Sequence, residues 1–128
     1  MVNISLVRQS NLDLKLSGHA SSLVAVFVGA TSGIGLGTLK QYAKYAQGSK
    51  AYIIGRSKTA TQPFLDRLQE SNPTGTFEFI QTEVSLIKNV DLACEKIKAK
   101  ENKIDILFMS PGFLSYGGRI GVSKSSCV

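Results

Sequence analysis

The stretch LVAVFVGATSGIGLGTLKQYAKYA, residues 23–46, decides how the rest of the chain is read. Leu23 to Val28 are six apolar, largely β-branched residues, the pattern of a strand buried on both faces. Gly29, Gly33 and Gly35 follow at once, and beyond them Leu36, Leu39, Ala43 and Ala46 recur at helical spacing, with Lys40 and Lys44 on other faces. Strand, glycine turn and helix in that order make an anion site. The first turn of a helix has N–H groups without intrahelical partners and carries the positive end of the peptide dipole. Glycine lets the main chain approach a diphosphate closely and take positive φ without a steric penalty. On this reading Gly29 turns the chain out of the strand, and Gly33 and Gly35, with Ile34 between them, admit the ligand and bring helix and strand together. Thr31 and Ser32 add hydroxyl hydrogen bonds. The alternative is a glycine-rich turn without a ligand; a position between a buried strand and a helix favours the nucleotide. No Gly-Lys-Ser/Thr follows at the required place, so this is not a P-loop.

Working outward, Gln47-Gly48-Ser49 stops the helix, and Ala51 to Ile54 form a second apolar strand ending at Gly55-Arg56-Ser57. In dinucleotide folds a carboxylate near this point holds the adenosine ribose hydroxyls, whereas an arginine accommodates a 2′-phosphate. Gly55 lies 20 residues past Gly35 with no Asp or Glu nearby; Arg56 and Ser57 stand there instead, with Lys58 behind. The planar arginine fork matches phosphate, and a charge-assisted hydrogen bond of this kind contributes about 1.5–3 kcal/mol. NADP(H) is therefore expected over NAD(H). The other reading of Arg56 is a surface arginine at a strand end. The missing carboxylate also argues against an S-adenosylmethionine site.

The alternation continues. Thr59 to Glu70 read as a helix that tolerates Pro63 only near its first turn, and Ser71-Asn72-Pro73-Thr74-Gly75 as a turn. Thr76 to Thr82, alternating around Phe77 and Phe79, read as a third strand. After Glu83-Val84, Ser85 is read as the cap of a helix running to Lys100, with Leu86, Val90, Ala93, Cys94 and Ile97 inward and Cys94 a small core residue. Ile104 to Phe108 form a fourth strand, closed by Met109-Ser110-Pro111-Gly112. Ahead of all this, Met1 to Ser22 is a lead-in with a short helix at Ser5 to Leu14 and a loop at Ser17 to Ser22. Four strands alternating with three helices predict a three-layer α/β fold. Its sheet is parallel, with right-handed crossovers and strand order 3-2-1-4. A ligand is expected outside the carboxyl ends of the strands, where the order reverses between the first and fourth.

Gly29-Ala-Thr-Ser-Gly-Ile-Gly35 resembles the cofactor signature of the short-chain dehydrogenase/reductase family, Thr-Gly-x-x-x-Gly-x-Gly, with Val28 in the threonine position. The similarity runs from about Leu23 to Gly112. It implies that Glu83 and Val84 touch the adenine ring, Glu83 standing where the family commonly has Asp. Met109-Ser110-Pro111-Gly112 stands in place of the family's Asn-Asn-Ala-Gly, which puts Ser110 and Gly112 in the cofactor cleft and departs from the pattern that supports the catalytic relay. The implied chemistry is hydride transfer between nicotinamide and a small carbonyl or alcohol. The family uses a Tyr, a Lys four residues later and an upstream Ser, because a phenol titrates near pH 10 unless a nearby cation favours the phenolate. Four residues after Tyr42, Tyr45, Tyr52 and Tyr116 stand Ala46, Ser49, Arg56 and Ile120, so no catalytic residue is assigned. The first three tyrosines are read as structural. The tail from Ser115 to Val128, with Arg119, Lys124 and Cys127, leaves the strand–helix rhythm. The expected division is therefore 1–22, 23–114 as a partial dinucleotide-binding domain, and 115–128, as in a truncated family member. Three functions stay open: an NADP-dependent short-chain oxidoreductase by lineage, a non-catalytic nucleotide-binding or interaction fragment, and another Rossmann-like enzyme such as an epimerase.

Composition narrows the classes. A chain of 128 residues allows one domain with a real core. The net charge of +6 comes from scattered lysines, densest between Lys88 and Lys103, where a solvated helix face accounts for them. Nucleic-acid binding wants a concentrated basic patch with interleaved aromatics, which is lacking. Two cysteines and His19 alone give no metal-ligand spacing. Met1 to Leu16 is interrupted by polar residues and no apolar run approaches membrane-spanning length, so the cytosol is the expected compartment. Without further strands the fourth strand is expected to present an open edge that invites self-association.

Overall fold

β1 (Val24–Val28) is buried along its whole length and is the strand on which the rest is built. In the computed structural model, which describes residues 1–112 together with 116 and 117, it is preceded by α1 (Ile4–Leu16) and a 3-10 turn (His19–Ser22). It is followed by α2 (Gly33–Tyr45), β2 (Lys50–Gly55), α3 (Lys58–Ser71), β3 (Thr76–Gln81), α4 (Ile87–Lys98) and β4 (Ile106–Met109). The four strands form one parallel sheet in the order β3-β2-β1-β4. Val24 lies opposite Lys50 and Val28 opposite Ile54, while Ala25 lies opposite Ile106 on the other side.

The period of two along each strand feeds two cores. Ala25 and Phe27 of β1, with Ala51 and Ile53 of β2, face Leu39 and Ala43 of α2 and Leu65 and Leu68 of α3. Val24, Val26 and Val28, with Tyr52, Ile54 and Ile80, face Ala93 and Ile97 of α4. Two helices on one face and one on the other is the layering that right-handed crossovers demand when the strand order reverses. The fold class, strand order and three-layer arrangement are those expected from the sequence.

Several details differ. α1 is longer than the expected Ser5 to Leu14, because Asn3 caps it: its Oδ1 accepts the Ser5 N–H at 2.9 Å. The segment after it, expected as a loop, closes into the 3-10 turn with Ala20 buried. α3 starts at Lys58 because Ser57 Oγ accepts the Ala60 N–H at 3.3 Å, which puts Pro63 in the second turn rather than the first. Ser85 is not the cap of α4. Leu86 occupies that position without a side-chain cap, and Asn89 Nδ2 instead donates to the Glu83 carbonyl at 3.0 Å. Cys94 points to the expected side yet is exposed, since the described residues leave the groove between α4 and β4 open. β4 begins two residues later than expected because Asp105 works at the foot of the ladder. Its Oδ2 accepts the Val24 N–H at 2.9 Å, and its own N–H donates to the Val24 carbonyl at 2.8 Å. Of the expectations for the 115–128 tail, those for Arg119, Lys124 and Cys127 lie outside the described residues. Among those described, no helix is long and apolar enough to cross a membrane.

Candidate functional site

The exits of β1, β2, β3 and β4 converge on one cleft of about 430 Å³. Chain direction explains why: in a parallel sheet every carboxyl end lies on the same side, and the switch between β1 and β4 leaves a crevice there. The β1–α2 loop supplies Gly29, Thr31 and Ser32, and the end of β2 supplies Ile54, Gly55 and Arg56. Thr82, Glu83, Val84 and Ser85 come from the end of β3, and Ser110, Pro111 and Gly112 from the end of β4.

The glycines divide their work more sharply than the sequence suggests. Gly29 has φ +78, and a Cβ there would lie 2.6 Å from the Ser110 carbonyl carbon. It thus turns the chain and also lets the end of β4 cross beside it. Gly35 is buried, and a Cβ on it would stand 2.5 Å from the Gly29 carbonyl oxygen. This is the contact that brings helix and strand together. Gly33 adopts φ +57, with nothing within 4 Å of a Cβ. Ser32, the N-cap of α2, is extended and makes no side-chain cap bond; the Leu36 N–H is the first to reach back, to the Ser32 carbonyl at 3.2 Å. The amides of Gly33, Ile34 and Gly35 therefore have no intrahelical acceptors, and the positive end of the α2 dipole opens toward the cleft side of the sheet.

Of the residues singled out in the sequence, the cleft brings together Gly29, Thr31, Ser32, Arg56, Glu83, Val84, Ser110 and Gly112. Gly33 and Ile34 are exposed on the first turn of α2 beside it. Gly35 sits beneath the loop, and the Ser57 hydroxyl is engaged at the start of α3. Ile54, Gly55, Thr82, Ser85 and Pro111, which the sequence does not assign to the site, also line the cleft. The rule that ligands bind at carboxyl strand ends could have found them, since each lies within a few residues of one.

Charge is arranged simply. Arg56 is exposed, and it joins none of the three ion pairs of the described residues, Lys50–Glu101, Lys100–Glu78 and Lys103–Asp105. Glu83 is the one carboxylate among the lining residues. The displaced ionisations are elsewhere, toward the amino ends of the strands. Hydrogen bonds from Lys50 and Tyr52 hold the Glu101 carboxyl below its ordinary range, while burial and the neighbouring Glu101 push the Tyr52 phenol up. Tyr52 donates to Glu101 Oε1 at 2.7 Å, and Tyr42 donates to the Lys50 carbonyl at 3.1 Å. These two phenols are tied into the scaffold.

A sheet of order 3-2-1-4 with a glycine turn at its switch point defines an α/β protein of the Rossmann class. Residues 23–124 match the short chain dehydrogenase family, and the chain belongs to it. An oxidoreductase of Emericella nidulans is 49% identical over 119 residues, 93% of this chain and 35% of the relative. An NmrA-like family domain-containing oxidoreductase of an Aspergillus species is 43% identical over 121 residues, 93% of this chain and 36% of the relative. The chain thus spans about a third of the length of these curated relatives. Among solved structures, the L-sorbose reductase of Gluconobacter frateurii, complexed with NADPH and L-sorbose, superposes with a TM-score of 0.69 at 22% identity, over 87% of this chain and 41% of that one.

Proposed function

We propose that residues 23–114 form the NADP(H)-binding part of a short-chain oxidoreductase that interconverts a carbonyl and an alcohol, and that this chain holds the cofactor without supplying the proton-transfer residues. The observation that carries the proposal is Arg56 in the same cleft as Gly29, Thr31 and Ser32, with no carboxylate at the end of β2. The residues fit the group: α2 presents amides that no side chain caps, and Gly33 leaves its surroundings open to 4 Å. Backbone N–H groups of the first turn of α2 hold the diphosphate, and Thr31 and Ser32 add hydroxyls. Arg56 grips the 2′-phosphate with its planar fork, and Ser57 stands beside it. Val84 and Glu83 flank the adenine side, with Ser110 and Gly112 toward the nicotinamide side. When bound, the nicotinamide ring supplies the hydride. The NADPH carried by the L-sorbose reductase agrees with this choice of cofactor.

No tyrosine in the sequence has a lysine four residues on. The purified chain is therefore expected to bind NADPH more tightly than NADH in calorimetric titrations and to show no NADPH oxidation with a panel of small ketones. Sustained turnover contradicts the second half of the proposal, and indifference between the two dinucleotides contradicts the first. A second reading, a nucleotide-binding unit acting by association, is favoured by β4. Ile106, Leu107 and Met109 are exposed on what is, among the described residues, an edge strand.

A further inference from the structure

Gly55 ends β2, and its backbone has no positive φ that would call for glycine. The crowding around it does. A Cβ there would lie 3.0 Å from Thr31 Cγ2 and 3.0 Å from Phe79 Cζ. Thr31 belongs to the β1–α2 loop and Phe79 to β3, so the loop closes onto the end of β2 with a methyl group seated where a side chain would be. The Gly55 carbonyl accepts the Thr82 N–H at 2.8 Å, which ties the same point to the end of β3. The next residue is Arg56, and Thr31, Gly55 and Arg56 all line the cleft.

Resting on the reading that this cleft takes NADP(H), we infer that Gly55 is a specificity-setting position: its missing side chain lets Thr31 seat against β2 and so sets how far Arg56 stands from the α2 amides. In NADP the diphosphate and the 2′-phosphate are joined through one ribose, so their separation varies little. A protein that grips both must match that separation with its two anion sites, here the first turn of α2 and Arg56. NADH offers only the diphosphate and tolerates a wider gap. A methyl group at position 55 makes Thr31 and the Phe79 ring give way by a few tenths of an ångström; the part that Thr31 takes up moves the loop against the strand, and the mismatch falls on NADPH.

The test is a double-mutant cycle on the whole chain. Native protein, G55A, T31S and G55A/T31S are titrated with NADPH and with NADH, and the thermal midpoint of each is recorded. G55A is expected to lower NADPH affinity about tenfold, as small misplacements of positioned groups do, and NADH affinity by much less. T31S deletes the methyl but keeps the hydroxyl. In G55A/T31S it is expected to restore a large part of the lost NADPH-over-NADH preference. An unchanged preference in G55A overturns the inference, as does an equal loss for both cofactors that T31S does not relieve. Should G55A fail to fold, T31I compared with T31V applies the same wedge from the exposed side of the loop. Lower preference in T31I is expected, and equal preference overturns the inference. A native chain that prefers NADPH while G55A is insensitive removes this inference alone. A native chain that binds neither dinucleotide removes the NADP reading and this inference together.

Discussion

Arg56 carries the proposed distinction between NADPH and NADH, so reversing its charge is the direct test at the scale of one residue. R56D removes a charge-assisted contact worth about 1.5–3 kcal/mol, roughly a ten- to hundredfold loss of NADPH affinity. NADH affinity is expected to change little, and equal losses in the titration contradict the assignment. The glycines of α2 give a second test with opposite signs. A Cβ at Gly35 meets the Gly29 carbonyl at 2.5 Å, whereas one at Gly37, exposed and inside the helix, meets nothing within 4 Å. G35A is expected to destabilise by about 1–3 kcal/mol through overpacking. G37A is expected to stabilise by roughly 0.5–1 kcal/mol through helix propensity. Denaturant midpoints read both. The need for a small residue at position 35 is legible in the motif; which atom forbids a side chain is not, because the Gly29 carbonyl reaches Gly35 only once the loop has turned back over α2.

At the scale of elements, two polar groups hold parts of the fold that the hydrophobic pattern leaves unspecified. Asn72 is fully buried between the α2–β2 and α3–β3 connections. Its Oδ1 accepts the Gly48 N–H at 3.0 Å and its Nδ2 donates to the Ala46 carbonyl at 2.9 Å. N72A leaves the half-buried Gly48 N–H without its partner and takes one donor from the Ala46 carbonyl, which keeps the Ser49 hydroxyl, an expected cost of about 1–3 kcal/mol measurable as a lower unfolding midpoint. Glu101 does comparable work just past the C-terminal end of α4, accepting from Lys50 Nζ at 2.9 Å and from Tyr52. Its folded carboxyl titrates below the ordinary range, so the stability it contributes is present above the unfolded value, about 4.3, and is lost as pH falls toward the folded value. The thermal midpoint is expected to fall with acidification below about pH 4.5, and E101Q to flatten that part of the profile. A sequence reading sees Asn72 as one member of a turn and Glu101 as one more charge after a helix. Their partners are 24 and 26 residues away for Asn72, and 51 and 49 for Glu101. Only the folded chain brings them together.

For the whole molecule, the buried run of β1 and the alternation after it were enough to read the class, the sheet order and the side on which the cleft lies. Long apolar periodicity reports on the core directly. What escaped was whatever depends on covering. Cys94 has the spacing of a core residue, yet the groove it lines with Val26, Ile97 and Leu107 is open among the described residues. Periodicity tells which way a side chain points, and only the neighbouring layer tells whether it is buried. The same holds for β4. Among the described residues it pairs with β1 on one side and is the outer strand on the other, with Leu107 and Met109 exposed at 58% and 65%. An edge of that kind, with apolar side chains beside its outward N–H and C=O groups, is a template for another strand. Association of the purified chain is therefore expected to rise with concentration in sedimentation velocity. L107K should oppose it by placing a charge on the edge, because a lysine there must be desolvated before a second strand can pair. L107K lies outside the cleft, so NADPH titration of the same sample separates loss of association from loss of fold. If L107K keeps its NADPH binding and still associates like the native chain, the edge is not the contact.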